Sequence, residues 1–404
     1  DLRALDDAAL LAHIREIDGA GRQYFRPNIA ISITQGLLHR TLFKVVSLLA
    51  GSADAPALYD SLTCFCDTKT NLVNRDLHAL AAQVRATPAL RELLATVDRR
   101  AIVEGRRLAP FAAFGRDFEK FLRDHGHREV DWDVYVPTWS GQPWVVLENV
   151  RLLAARDDDE DPAEREEALR MRQADAERRF LAQMPEELRF AAAELLRLAR
   201  TYTSLDDLEH YQTTRLSVPF RAALVEAGRR LAGKKALDAD EDVFFLRRAT
   251  MEALLDGKGD PAVALAEARA NKASWAKWKT TPPPWVRGEA PAPVESREGV
   301  LRGMPGSPGV ATGKIFRVNG VEDFARFPKG AVLVARTTNP AWTPLFYSAV
   351  AVITESGGPL SHGAVTAREV GLPAVMAVRG ALSLLEDGTT VRVNGTTGTV
   401  ERVP

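Results

Sequence analysis

The sequence contains little cysteine and has no excess of charge of either sign. Its two cysteines, Cys64 and Cys66, are separated by one residue. This is too close for an unstrained disulfide, and two thiols are too few for a four-ligand zinc site, so we expect both to be reduced core residues. Lys and Arg total 53 against 54 Asp and Glu. A broad basic surface is therefore not predicted, and nucleic acid is not an expected partner.

Long hydrophobic runs are also absent. No apolar stretch approaches the ~20 residues of a membrane-spanning helix, and no basic region followed by an apolar stretch opens the chain. We therefore expect a cytoplasmic protein with no membrane partner. The sequence begins at Asp1 and not at a methionine, which fits a processed product or a piece of a longer protein.

The length of 404 residues predicts two or three domains. Apolar residues recur at helical spacing over residues 2–122, which predicts helices. Over residues 132–153, Val, Trp, Tyr and Thr are interrupted by Pro and Gly, which predicts short extended segments or a hairpin. An acidic stretch, residues 157–161, then precedes Pro162, where negative charge suits the N-terminus of a helix.

Further helices are predicted after that acidic stretch. One is expected to run to about Met184 and the next to start at Pro185, so that the two form an antiparallel pair. A third helical segment, residues 205–232, contains Pro219 and is expected to kink or restart there. Residues 281–299 begin with a run rich in proline and small residues, which predicts a linker.

The last part of the chain has a different pattern. Short β-rich runs are separated by glycines, one helix begins near His362, and the end alternates inward and outward residues around a turn near Asn394. We predict a multidomain protein of the α plus α/β class. A mostly helical domain, 1–280, is followed by the linker, 281–299, and by a compact β/α domain, 300–404.

The most informative segment is ESGGPLSHGAVTAREVGLPAV, which starts at Glu355. Residues 350–354 before it indicate a buried strand, and residues 363–370 predict a helix that ends at Gly371. His362 is therefore expected on the first turn of a helix. Unpaired backbone N–H groups and the positive end of the helix dipole would suit a phosphoryl group attached to its imidazole.

The residues around His362 suit nucleophilic chemistry. A neutral imidazole can attack a phosphoryl group near physiological pH. Gly357 and Gly358 leave room for a bulky partner, and Ser361 can cap the helix or help to position the ring. A capping or core histidine is nevertheless the commoner case after two glycines, so the residues alone leave both interpretations open.

This segment resembles the phosphohistidine signature of the phosphoenolpyruvate (PEP)-utilising enzymes, which lies in a mobile, swivelling domain. Three further stretches occur in that family's order and spacing: GMPGSPGVATGKIFRV, VLVARTTNPAWTPLF and DGTTVRVNGTTGTV. The resemblance covers essentially all of residues 300–404 and implies that His362 is the phosphorylated nucleophile. The residues expected to support the phosphoryl group are Gly357, Gly358, Ser361, Gly363 and Thr338.

The rest of the chain indicates which members of this family the sequence resembles most. Family members that make or use PEP carry a (β/α)8 barrel after the mobile domain, and members that charge the histidine from ATP carry an ATP-grasp unit. Because neither is recognised in this sequence, we expect pyruvate not to be the acceptor. We expect ATP and Mg²⁺ to be bound mainly by a partner ATP-grasp subunit or an upstream domain. The arrangement resembles the split phenylphosphate and alcohol-phosphate synthases and rifampicin phosphotransferase.

A second segment, FLRDHGHREVDWDVYVPTWSGQPWVVLENVR, also resembles a stretch of this family. A hydroxyl acceptor needs a base, a clamp for phosphate charge and an apolar slot. His127 or His125 could take the hydroxyl proton, with His125 a candidate for acceptor binding, and Arg128 could hold phosphoryl oxygens in a bidentate way. All three could instead pair with nearby carboxylates as structural groups.

The same segment offers candidate walls and metal ligands. Trp132, Trp139 or Trp144 could form a wall of the site for a flat acceptor. Asp131 and Asp133 alternate with Trp132, so in an extended segment both carboxylates would face one side and could hold Mg²⁺ or orient the base. Solvated or Arg-paired carboxylates are the competing interpretation.

These residues together predict a phosphotransferase component. It would carry a phosphoryl group from ATP through phospho-His362 to a hydroxyl of a small aromatic alcohol or phenol. Two alternatives remain, namely a fragment of a rifampicin-type antibiotic phosphotransferase and a non-catalytic phosphocarrier or regulatory subunit. A concave, partly apolar pocket facing the histidine would favour an enzyme, whereas a flat surface would favour a carrier.

Overall fold

The computed structural model describes residues 1–129, 133–155, 162–280 and 300–403. Four features of the sequence lie outside these ranges: Asp131, Trp132, the acidic stretch 157–161 and the predicted linker 281–299. Among the described residues, no helix combines the length and the apolar character that a bilayer crossing requires.

The first 280 residues are helical wherever regular structure is described. The α-helices are α1 (Asp7–Thr63), α2 (Lys69–Ala86), α3 (Pro88–Thr96), α4 (Arg99–Glu104), α5 (Ala112–His125), α6 (Pro143–Ala154), α7 (Pro162–Ala182), α8 (Glu186–Gly233), α9 (Arg248–Leu255) and α10 (Pro261–Thr280). Short 3₁₀ helices span Leu2–Ala4 and Asp240–Phe245. Helix α1 is interrupted at Gly51, where φ is 75°.

The chain forms two compact units. The first unit contains the described residues of 1–27, 131–138 and 212–292. Its apolar core joins the start of α1 to the end of α8 and to α9, with Leu11 and Leu231 at most 1% exposed. Burial of such leucine side chains is worth roughly 1.5–3 kcal/mol each.

The second unit contains the described residues of 28–130, 139–211 and 293–404. In its helical part, α1, α7 and α8 pack around a core that includes Leu42 and Phe180, both fully buried. We call residues 300–403 of this unit the sheet domain.

The sheet domain is built on one eight-stranded mixed sheet with the order β1-β8-β7-β3-β4-β5-β6-β2. Its strands are β1 (Val300–Arg302), β2 (Met304–Ser307), β3 (Val310–Val318), β4 (Val332–Ala335), β5 (Ala351–Thr354), β6 (Ala374–Met376), β7 (Thr390–Asn394) and β8 (Thr399–Arg402). Its α-helices are α11 (Thr343–Ser348), α12 (His362–Val370) and α13 (Ala381–Leu384). Strands β3 to β6 pair in parallel, and the other pairs are antiparallel.

The two central strands determine where the functional loops lie. Every residue of β4 and β5 is buried, as expected for Val- and Ile-rich parallel strands that are covered on both faces. Helix α12 connects β5 to β6, which pair in parallel. Because β4 and β5 also run in parallel, the loops that follow them emerge at the same edge of the sheet.

The sheet domain packs against the helical part of the second unit. Helix α6 contacts α11, and the side-chain amide of Asn149 donates to the carbonyl of Ala341 at 3.4 Å. The rings of His78, on α2, and Tyr347, on α11, meet edge to face with centroids 5.0 Å apart. These contacts hold α11 and the turn before it against the helical part.

Much of the predicted architecture is confirmed. A helical region precedes a mixed α/β domain, and α12 begins at His362 and ends at Gly371, whose φ is 70°. A turn follows Asn394 between the antiparallel strands β7 and β8. Cys64 and Cys66 are buried and free. The domain boundary at 281–299 stays a prediction.

The prediction of extended segments over residues 132–153 is wrong for its second half, which forms α6 after Pro143 at the start of the helix. Nearly every residue from Val145 to Ala154 is buried. A helix buried on all sides has no polar face and hence no amphipathic period, so its Val and Trp residues resembled a strand.

The prediction of a restart at Pro219 is wrong, because one helix, α8, runs through it. The alternative, a kink at Pro219, stays a prediction. A proline inside a helix removes one backbone hydrogen bond. Tyr211 and Ala223, on either side of Pro219, are both buried. Packing of the flanking turns therefore outweighs the lost bond.

Candidate functional site

His362 lies at the edge of the sheet where β4 and β5 end. The loop after Thr354, the last residue of β5, leads directly into α12, of which His362 is the first residue. The loop after Ala335, the last residue of β4, contains Thr338. The predicted position of His362 on a first helical turn is confirmed.

The two loops approach each other closely at Gly363. A Cβ atom at this position would lie 2.7 Å from Oγ1 of Thr338. Glycine therefore lets the β4 loop contact the start of α12. The structure thus brings Thr338 next to the histidine loop, and a contact of its hydroxyl with phosphate stays a prediction.

The glycine turn before His362 is closed by a side-chain hydrogen bond from Ser361. Gly357 has a φ of 101°, which favours glycine. Ser361 stands at the N-cap position, but its hydroxyl donates to the carbonyl of Gly358 at 2.8 Å and no side chain caps the helix. The prediction that Ser361 caps α12 is therefore wrong, since its hydroxyl closes the glycine turn. The first turn of α12 keeps backbone donors that no side-chain cap occupies.

The imidazole of His362 is held and kept neutral by its surroundings. Its Nε2 lies 3.1 Å from Oγ1 of Thr366, one turn further along α12. Its Nδ1 is buried and has no hydrogen-bond partner among the described residues. Burial, followed by the nearby Arg128 and His210, lowers the pKa of His362 to about 3. The ring is therefore neutral near pH 7, the form that can act as a nucleophile.

Among charged groups, Arg128 has the largest effect on the pKa of His362. Only 1% of Arg128 is exposed. Its Nη2 donates to Oγ1 of Thr70 at 3.2 Å, and its Nη1 is buried with no hydrogen-bond partner in the described ranges. Burial lowers the pKa of Arg128, whereas Asp207 and Glu129 oppose that shift. The guanidinium remains charged. A buried guanidinium with an unused N–H can bind a phosphoryl oxygen.

A backbone arrangement fixes the position of Arg128. The N–H of Trp139 donates to the Arg128 carbonyl at 3.0 Å, and the N–H of Ser140 donates to the Gly126 carbonyl at 2.7 Å. The Trp139 side chain is fully buried and packs on Phe121 with ring centroids 5.8 Å apart. The prediction that Trp139 forms a wall of an acceptor site is wrong, because its indole lies in the core beneath this turn.

The two histidines of the same turn have different surroundings. His125 uses both ring nitrogens, with Nδ1 2.9 Å from the Tyr211 hydroxyl and Nε2 2.7 Å from Oδ2 of Asp76. The structure therefore contradicts an acceptor-binding role for His125 and gives it a structural one. His127 is buried, and its ring packs edge to face on Tyr211 with the ring centroids 4.4 Å apart. Its action as a base stays a prediction.

Several members of this cluster were not predicted from the sequence. Oδ2 of Asp207 accepts from the N–H groups of Lys69 (2.6 Å) and Thr70 (3.1 Å) at the start of α2. Oε1 of Glu129 lies 3.1 Å from Nε2 of His210. Only Glu129 had a signal in the sequence, its position next to Arg128. The others come together through tertiary packing alone.

Helix α12 contributes a second titratable group on the face of His362. Glu369 follows His362 by seven residues, which places both on one side of a helix. Its Oε1 accepts from the side-chain amide of Asn71 at 3.4 Å. Burial, followed by the nearby Asp207, raises the pKa of Glu369 to about 8. The carboxyl group is therefore mostly protonated near pH 7.

The predicted metal ligands do not form a site in the described chain. Asp131 lies outside it, and the exposed Asp133 accepts from the N–H of Tyr135 at 3.0 Å. Within the described ranges, no group of three or more His, Cys, Asp or Glu residues is arranged to hold a metal ion. The described residues alone do not fit Mg²⁺, and we derive no step through a metal on this chain.

A cavity of about 490 Å³ lies beside the histidine loop. One face of α1 lines it together with the loops of the sheet domain, including Pro359 and Leu360. His362, two residues after Leu360, is not part of the lining. Most of the lining is apolar, with Phe43 on the α1 side. Its volume is within the roughly 300–1,000 Å³ usual for small-molecule sites.

Two polar side chains that line this cavity, His39 and Arg368, form hydrogen bonds within the protein. Nδ1 of His39 lies 2.7 Å from the Tyr59 hydroxyl, and its Nε2 lies 2.8 Å from Oγ1 of Thr203. Burial lowers the pKa of His39 to about 4, so the ring is neutral. Arg368 donates to the carbonyls of Gly306 (2.6 Å) and Pro359 (2.7 Å), which fixes two lining loops.

Two family models match the chain. Residues 327–398 match the mobile domain of PEP-utilising enzymes, and residues 24–207 match the fourth domain of rifampicin phosphotransferase. The chain belongs to the family of PEP-utilising enzymes. The predicted resemblance of the sheet domain is thereby confirmed.

Individual relatives agree with this assignment. A rifampicin phosphotransferase of Streptomyces sviceus is 31% identical over 340 residues, which are 80% of this chain and 38% of that protein. A chondramide synthase of Chondromyces crocatus is 28% identical over 82% of this chain and 9% of that protein. A phosphoenolpyruvate synthase of Aeropyrum pernix is 43% identical over 26% of this chain and 13% of that protein. The chain spans about two fifths of the Streptomyces rifampicin phosphotransferases that it matches.

Proposed function

We propose that this chain is the carrier and acceptor part of a phosphotransferase. His362 takes a phosphoryl group and passes it to a hydroxyl of an apolar natural product. The observation that carries the proposal is a neutral imidazole at the start of α12 in the same cluster as Arg128, a buried cation with an unused donor. The proposal is that this nucleophile and this charge clamp, from different parts of the unit, act on one phosphoryl group.

The proposed reaction has two half-reactions. In the first, a lone pair of the His362 ring forms an N–P bond while the phosphorus–oxygen bond of the donor breaks, and its electron pair leaves with the donor oxygen. In the second, the acceptor oxygen bonds to phosphorus, the N–P bond breaks and the ring recovers its lone pair. The hydroxyl proton passes to a base, for which His127 is the candidate. Arg128 stabilises the charge on the phosphoryl oxygens, since such catalysis is mainly positioning and electrostatics.

The acceptor is proposed to be an antibiotic-like hydroxyl compound. The apolar cavity beside Leu360 supports an acceptor with a large apolar surface. The relatives named rifampicin phosphotransferase support this alternative better than a small aromatic alcohol or phenol, which no relative reported above supports.

ATP is the proposed phosphoryl donor. It would be bound, with Mg²⁺, by an ATP-grasp subunit or by another part of a longer protein. Residues 300–404 would then move between the two sites about the linker 281–299, which stays a prediction. The separation of nucleotide and acceptor sites is what makes a carrier histidine necessary.

The proposal can be tested without the nucleotide-binding partner. Phosphoramidate serves as a chemical phosphoryl donor, and acid-labile, base-stable protein phosphate is measured in the wild type and in His362→Ala. His13→Ala, which removes a histidine whose side chain is 38% exposed, is the matched control. We expect at least a tenfold loss of label in His362→Ala and none in the control.

The labelled protein is then mixed with rifampicin as the acceptor. We expect the label to leave the protein and appear on the antibiotic. Equal labelling of wild type and His362→Ala would remove His362 from the mechanism. Stable label in the presence of rifampicin would contradict this acceptor class.

A further inference from the structure

Thr366 is the one described residue that hydrogen-bonds the ring of His362. It follows His362 by four residues on α12, and its Oγ1 lies 3.1 Å from Nε2. Thr366 is 1% exposed. Several other helical hydroxyls, such as that of Thr41, donate to the carbonyl four residues earlier. The Thr366 hydroxyl has no such bond in the described chain, so the ring is its partner.

The direction of this hydrogen bond follows from counting unsatisfied groups. If Nε2–H donates to Thr366, the hydroxyl proton has no acceptor and Nδ1 of His362 is a second unsatisfied atom. If the hydroxyl donates to Nε2, only the Nδ1–H is left without a partner. Each unsatisfied buried polar group costs free energy. The arrangement with one such group is therefore favoured over the arrangement with two.

We propose that Thr366 is a positioning residue that sets the tautomer of His362. Its hydroxyl donates to the Nε2 lone pair, which holds the ring proton on Nδ1 and keeps Nε2 unprotonated until it reacts. The chemical meaning of this tautomer rests on the proposed function, in which the imidazole is the nucleophile. The hydrogen bond itself does not depend on that function.

The tautomer matters because of the proton balance of the attack. When Nε2 attacks, the hydrogen bond from Thr366 breaks and the freed Nε2 lone pair forms the N–P bond. At the same time the donor's phosphorus–oxygen bond breaks and its electron pair leaves with the donor oxygen. No proton has to leave Nε2, since the proton already resides on Nδ1. The opposite tautomer would need a deprotonation or would direct the phosphoryl group to Nδ1.

The test compares variants that differ by one functional group. Thr366→Val keeps the β-branched shape but removes the hydroxyl, whereas Thr366→Ser keeps the hydroxyl. Thr96→Val, an exposed helical threonine, is the control. In protein labelled with ¹⁵N-histidine, the His362 signals are identified by their loss in His362→Ala. Their chemical shifts then report which nitrogen carries the proton.

We expect a single tautomer, with the proton on Nδ1, in the wild type, in Thr366→Ser and in Thr96→Val, and a mixture in Thr366→Val. After reaction with phosphoramidate, the Nδ1-linked phosphoryl isomer should rise about tenfold in Thr366→Val. An unchanged tautomer in Thr366→Val, or a mixture in Thr366→Ser, would overturn the inference. A tautomer shift in a protein that phosphoramidate does not label would support the role of Thr366 while contradicting the proposed function.

Discussion

At the scale of single residues, the site is defined by groups that burial leaves incompletely satisfied. Nδ1 of His362 and Nη1 of Arg128 are both enclosed without a described hydrogen-bond partner. An unsatisfied buried polar group costs about 1–3 kcal/mol. A ligand oxygen that accepts from the guanidinium would recover part of that cost. This gives a physical reason for binding a phosphoryl group here.

Replacement of Arg128 by glutamine should change both the ring and the reaction. Because a positive neighbour disfavours the imidazolium, Arg128→Gln should raise the pKa of His362, although burial still holds it below its ordinary value. Transfer from phospho-His362 to the acceptor should slow by about 100-fold, as for loss of one oxyanion donor. NMR titration and single-turnover transfer measure the two effects.

The control for this variant is Arg178→Gln, because the Arg178 side chain is 79% exposed. It should leave both the His362 pKa and the transfer rate unchanged. An Arg128→Gln protein that folds and transfers phosphate at the wild-type rate would contradict the proposed clamp.

Single residues also differ in how far the sequence predicts them. His362 was predictable because a strand, two glycines and a helix stop surround it within twenty residues. Arg128 was a candidate from its neighbours, but its burial was not. Asp207 and Thr70 could not have been predicted, because they meet Arg128 only through the packing of separate helices. Trp139 was misassigned because an indole suits a core and a binding wall equally well.

At the scale of elements, α12 and α6 show opposite outcomes for physical reasons. The ends of α12 are determined by local chemistry, a glycine turn before it and a left-handed glycine, Gly371, after it. Helix α6 is determined by its surroundings, because it is buried on nearly every side. Local signals were sufficient for the first element and misleading for the second.

The end of α12 can be tested by replacing Gly371 with alanine. Its φ of 70° is left-handed, and a Cβ atom would lie 3.3 Å from Nη2 of Arg165. We expect Gly371→Ala to lower the free energy of unfolding by about 1–2 kcal/mol. Urea denaturation monitored by circular dichroism measures this change in the free energy of unfolding.

A suitable comparison is Gly320→Ala. Gly320 has an extended backbone with a φ of −175°, and nothing lies within 4 Å of its added Cβ atom. This variant should stay within about 0.5 kcal/mol of the wild type. A Gly371→Ala protein as stable as Gly320→Ala would show that α12 ends for another reason.

At the scale of the whole molecule, two half-buried titratable groups of α12 make stability depend on pH in opposite directions. The pKa of His362 is lowered from 6.5 to about 3, so its contribution to stability is lost as the pH falls from 6.5 towards 3. The pKa of Glu369 is raised from 4.5 to about 8. Its contribution is present below pH 4.5 and is lost as the pH rises towards 8.

The variant Glu369→Gln isolates the second effect, since glutamine cannot ionise. Between pH 5 and 8 the wild type should lose stability relative to Glu369→Gln, with a slope of at most about 1.4 kcal/mol per pH unit. Unfolding measured at several pH values provides the slope. Two parallel pH profiles would contradict the protonated state of Glu369.

The pairing of β4 with β5 has a mechanical consequence. Both loops that shape the surroundings of His362 are anchored at the ends of these fully buried strands, and a hydroxyl closes the turn between strand and helix. Because both loops are held at these strand ends, we expect little movement of the His362 backbone relative to the sheet. For the proposed transfer between two sites, we therefore expect the eight-stranded sheet domain to move as one rigid body. The phosphoryl group would then keep the same orientation relative to the sheet at both sites.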